Sequence, residues 1–260
     1  MRIAVAIGLA FLTMSASLAD AQGRGGGRGR RLQEAVQGFQ LADSPELAEA
    51  INALLADDGP HMRMAPRRPV TPADQFRAKQ TVLAARDALG KYADVTRAEE
   101  DGYVKFLPWI EQQSVFHYNN VQHIAMTGGR FDPTKPVSLL YKKDAKGTMQ
   151  LIGAMYSAMP DASPDELDAR LPLSVAHWHE HVDFCGPQAE LVRSGQVKID
   201  GPTTAKWLKI TSRETCDAAG GRFVPRLFGW MAHVYMFASE DPRIIWGGEH
   251  GAMDVHSHKP

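Results

Sequence analysis

Hydrophobic and polar positions change their rhythm three times along the chain. Residues 3–12 are an unbroken apolar run behind Arg2, and small residues then lead to Ala19-Asp20-Ala21. A positive start, a short apolar centre and an A-x-A site predict an export signal cleaved near Ala21. The run is too short for a permanent membrane anchor. Residues 22–31 have no period at all, only Gly and Arg after Gln22. Such a leader cannot bury enough apolar surface to fold. Helical spacing follows: Ser44-Pro45-Glu46 is a helix start, and Leu47, Ile51, Leu54 and Leu55 repeat on one side. Residues 61–69 read as a linker; its His61-Met62-Arg63-Met64 piece could hold a soft metal such as copper(I), but a linker with chance methionines is the preferred reading. The longest helix opens at Thr71-Pro72-Ala73-Asp74 and is predicted to run to about Glu100, with Phe76, Leu83, Leu89, Tyr92 and Val95 as its apolar stripe.

After Gly102 the rhythm shortens. β-Branched and aromatic stretches at 103–106, 115–119, 138–142, 149–155, 174–184 and 230–237 predict strands. Gly128-Gly129, Asp132-Pro133, Lys146-Gly147 and Gly220-Gly221 predict turns, and the 142–148 turn predicts a hairpin. Residues 161–170 predict one short helix. A long helix followed by sequential strands implies an α+β fold, a long N-terminal helix packed on a mainly antiparallel β-sheet. The domain plan is a signal peptide at 1–21, the Gly/Arg leader at 22–31, a helical segment and linker at 32–70, the main domain at 71–246 and a His-containing tail at 247–260.

Composition narrows the function classes. The 260 residues are 44% hydrophobic and 23% charged, with a formal net charge of −1. That balance gives no basic excess for nucleic acid. No later stretch predicts a transmembrane helix. Two cysteines in an exported chain predict a Cys185–Cys216 disulfide and an extracytoplasmic location, periplasmic or secreted. The rival reading makes Cys185 a thiolate ligand.

The candidate chemistry is carried by histidine. In an extended chain His177, His179 and His181 point to one face, followed by Asp183, while Glu180 points away. His117 and His233 lie within two other predicted strands. Imidazole is the commonest metal-ligating side chain, and three-histidine sites on sheets leave a fourth position for water or substrate. The predicted ligands are therefore His117, His177, His179 and His233, with His181 next. Asp183 is a fourth ligand or a hydrogen-bond acceptor for an imidazole N–H. The ion would be zinc or copper, in a metalloenzyme or a metal carrier or sensor. The alternative is a metal-free module with a small-ligand pocket lined by histidine and aromatic rings. No nucleophile elbow, phosphate loop, H-E-x-x-H or C-x-x-C is present, so no catalytic residue is assigned.

Lys91-Tyr92-Ala93-Asp94-Val95, Asp101-Gly102-Tyr103, His117-Tyr118, Phe131-Asp132-Pro133, Leu151-Ile152-Gly153-Ala154-Met155-Tyr156 and Phe228-Gly229-Trp230-Met231-Ala232-His233-Val234-Tyr235 together resemble a family of uncharacterised exported bacterial proteins. The resemblance covers roughly residues 71–246. It implies an extracytoplasmic location and a single-domain core, and it assigns no chemistry.

Overall fold

The computed structural model describes residues 59–108, 110–198, 206–207 and 209–248. The predicted signal peptide, leader and first helix, and the tail from residue 249, lie outside them. The chain runs through strand β1 (Met62–Met64), helix α1 (Pro72–Leu89), a 3-10 turn (Gly90–Ala93), α2 (Val95–Glu100), β2 (Tyr103–Lys105), β3 (Phe116–Asn120) and α3 (Val121–Ala125). It continues through β4 (Ser138–Lys143), β5 (Met149–Ala158), α4 (Pro164–Arg170), β6 (His179–Pro187) and α5 (Ala189–Arg193). Helix α6 (Arg213–Ala218), β7 (Gly221–Arg226), β8 (Trp230–Val234) and α7 (Pro242–Ile245) complete it. The sheet order is β1-β6-β8-β5-β4-β3-β2, with β7 paired to β6. Every pairing is antiparallel. The fold is α+β.

Local chemistry sets the helix ends. Thr71 accepts a hydrogen bond from the Asp74 N–H, and Pro72 begins α1. Ser163 and Glu166 close a reciprocal capping box on α4, as S-x-x-E predicts. The predicted helix to Glu100 is not continuous. It ends at Leu89, and Asp94 caps a separate α2 by accepting from the Thr96 N–H. The expected apolar stripe is met in part: Leu89 and Tyr92 are buried, but Phe76 and Leu83 are exposed, and Ala78, Val82 and Ala85 are buried in their place.

The two faces of the sheet have different contents. One packs Phe116, Tyr118, Leu139, Tyr141, Ala154, Ala232 and Val234 with α1 and Trp178 in the main core. The other carries a smaller cluster of Val137, Leu140, Ile152, Met155, Met231 and Tyr235. Directly opposed residues in an antiparallel pair share a face. His117 opposes Leu140, Leu140 opposes Gly153, Met155 opposes His233 and Met231 opposes His179. Four of the five predicted strand-borne histidines, 117, 179, 181 and 233, therefore lie on the second face; His177 lies before its strand begins.

That face is concave. Strands β3 and β8 are separated by β4 and β5, three spacings or about 14 Å in a flat sheet. Yet the His117 and His233 rings touch, so the sheet curls around them. A bulge between Leu140 and Tyr141 sharpens the bend. At Gly153 a Cβ would lie 2.2 Å from the Val234 carbonyl oxygen. The missing side chain is what lets β5 and β8 approach there.

Three strand expectations are corrected. The predicted strand 174–184 begins only at His179. Before it, the Val175 and Ala176 N–H groups both donate to Pro172 O, at 2.9 and 2.8 Å. The carbonyls of Ser174, Val175 and Ala176 accept from the Arg67 guanidinium rather than from a strand. The predicted linker contains β1, which pairs with β6. Strand β7 was not expected, because its Arg, Pro and Gly content hides the β pattern.

Candidate metal centre

Four imidazoles form a chain of contacts on the concave face. His117 Nε2 and His233 Nε2 are 3.2 Å apart, with ring centroids at 5.4 Å. His233 meets His179 at 5.3 Å, and His179 meets His181 at 5.5 Å. His179, His181 and His233 are buried, at 1%, 2% and 2% exposure, and His117 is half-buried. Phe228 packs against this face and meets Phe106 edge-on.

Burial disfavours imidazolium. Desolvation lowers His117 from 6.5 to about 4, opposed by a hydrogen bond to the Val115 backbone. Desolvation, with smaller contributions from His179, His117 and His61, lowers His181 to about 3. Both rings are neutral at pH 7, the form that binds metal. His179 Nδ1 sits 3.3 Å from the His177 carbonyl oxygen. A backbone carbonyl on one ring nitrogen aims the other at a ligand, and His117 has the corresponding partner two residues upstream.

Two ligands of one tetrahedral zinc at about 2.0 Å would stand about 3.3 Å apart, with ring centroids about 5.2 Å apart. The 3.2 Å His117–His233 contact has that spacing and is also an ordinary N–H···N distance between imidazoles. Among the described residues no group of three His, Cys, Asp or Glu side chains is already set to hold a metal ion.

The remaining predicted residues stand apart. His177 precedes β6 in the turn that Arg67 holds, and its half-buried ring lies against Gly248. Asp183 has φ 58°, a left-handed backbone that breaks strand alternation and removes it from the histidine face. Cys185 is bonded to Cys216 and is no thiolate ligand. Glu180 faces away from the histidines, as its parity predicts, and is fully buried. It pairs with Arg63 of β1 and with Arg226 Nε of β7 at 2.6 Å, which ties three strands together.

One residue near the site was expected in a linker rather than in the packed fold. His61, assigned to a linker, is fully buried, stacks on Phe184 at 4.8 Å and places Nδ1 3.2 Å from Val182 O. The available signal was the alternation of Met62-Arg63-Met64 just after it. No family model, curated protein or solved structure matches this chain.

Proposed function

We propose that this is an exported protein that holds one transition-metal ion, zinc or copper, among His117, His179, His181 and His233. The observation that carries the reading is the 3.2 Å approach of two imidazole nitrogens at the head of a four-ring chain. Burial of three of the four rings favours an ion that is held or carried over one exposed to substrate. His117, the half-buried member, is the point of entry. The Cys185–Cys216 disulfide supports an oxidising, extracytoplasmic location. The test is competition of the chain against a chromophoric zinc chelator. His233→Ala loses zinc uptake and His177→Ala retains it. Equal uptake by both variants overturns this ligand set.

A second reading has its own observation. A cleft of about 130 Å3 is lined by His123, Arg130, Phe131, Lys135, Tyr156 and Arg170. Arg170 is already bonded to the Thr127 and Gly129 carbonyls. Asp132 also lines the cleft and pairs with Lys135 at 3.9 Å, so Arg130 and Arg170 beside the aromatic rings are the cations that suit a small anion in a metal-free binding module. Calorimetric titration with acetate and phosphate tests it. Heat that disappears in Arg130→Ala supports this reading, and absence of binding rejects it.

A further inference from the structure

The sheet register places methionine beside every buried histidine of the cluster. Met62 opposes His181 and Met64 opposes His179 across β1 and β6. On the other side of β6, Met231 opposes His179. Met155 opposes His233 across β5 and β8. Direct cross-strand partners share a face with Cβ atoms about 5 Å apart, within reach of a methionine side chain. The opposite face of the same strands pairs Arg63 with Glu180, Tyr156 with Ala232 and Ala154 with Val234. Thioethers are thus concentrated where the imidazoles are.

Plain packing does not call for this arrangement. Met155 and Met231 are buried, but Met62 is only partly buried and Met64 is 47% exposed on an edge strand. An edge strand facing solvent is usually built from charged or β-branched residues. Thioether sulfur is a soft ligand that selects copper(I), whereas zinc draws on thiolate, imidazole and carboxylate. Among the described residues the face contributes no carboxylate or free thiol to the cluster.

We propose that the ion is copper(I), held jointly by imidazole nitrogen from His117, His179 and His233 and thioether sulfur from Met155 or Met231, with Met62 beside His181. This rests on the metal reading above and deepens it. No redox step is involved: copper(I) enters as such.

The test is anaerobic competition of the full mature chain against a copper(I) chelator, beside a parallel zinc titration. It compares the native chain with Met155→Leu/Met231→Leu and with Met62→Leu. Leucine conserves volume, so folding is retained, and Met62→Leu changes only an edge position. The expected result is copper(I) affinity lowered about tenfold or more in the double variant, with zinc uptake unchanged. A sulfur scatterer in the copper X-ray absorption spectrum should be lost with it. Unchanged copper(I) affinity and no sulfur scatterer overturn the copper assignment while the histidine site stands. Failure of the native chain to take up either ion overturns both readings.

Discussion

His117 shows how much one residue's setting decides. Its imidazole lies about 4 in the folded chain, below the 6.5 of an exposed ring. Between those values the unfolded chain binds a proton that the folded chain refuses. Stability therefore falls as pH drops through 6.5 toward 4 and stops falling from this cause below about 4. His181 extends the same trend to about 3. For chelator-treated protein, the denaturation midpoint should be lower at pH 5.5 than at pH 7.5, and His117→Gln should narrow the gap. Equal midpoints in the native chain would contradict the buried, neutral assignment. Alternation placed His179 and His181 on one face of their strand, since it depends only on extended backbone; that His117 and His233 share that face is set by strand register, which residue types do not record. The same rule failed for His177 and Asp183. A proline-led turn precedes one, and the other has a left-handed backbone, features that no alternation of residue types records.

At the scale of elements, Gly153 and Glu180 set the shape of the histidine face. A Gly153→Ala side chain meets the Val234 carbonyl and the Tyr235 backbone, neither of which can swing aside. Overpacking of this kind should cost about 2–3 kcal/mol, read as a lower thermal midpoint together with weakened metal uptake. A midpoint equal to the native one would mean that β5 and β8 separate easily. Glu180→Ala removes the carboxylate shared by Arg63 and Arg226. Those guanidinium groups keep 52% and 30% side-chain exposure. The loss should therefore be about 2 kcal/mol, less than for a fully buried pair, and chemical denaturation measures it. The main strands were legible because their period-two runs are long. Strands β1 and β7 were not, because each is short or interrupted and gains its order from pairing with β6. Helix α1 was legible at its capped start. It was misjudged at its end and in part on its buried face, where Ala78, Val82 and Ala85 are buried and Phe76 and Leu83 are not.

The whole molecule joins a curled sheet to a separate disulfide-bound corner. Cys185 and Cys216 pack with Trp207, and Phe223 lies against them. A Cβ on Gly221 would strike both sulfurs and the Trp207 ring. Closing a loop of 31 residues contributes about 3–4 kcal/mol in the chain-entropy account. Reduction should lower the unfolding free energy by that order. It should leave zinc competition unchanged at temperatures where the protein stays folded, because the sulfurs are not ligands. Loss of metal on mild reduction without unfolding would contradict that separation. The pairing was legible from cysteine number alone; the curl of the sheet was not, since it arises from a bulge and one close strand approach.

If the histidine face holds a metal ion, elemental analysis of the protein purified without an affinity tag should find one zinc or copper per chain, and none in the folded His117→Ala/His233→Ala variant. No metal in the native protein, and none taken up when zinc or copper is supplied, would overturn that reading and leave the four rings as a metal-free imidazole network.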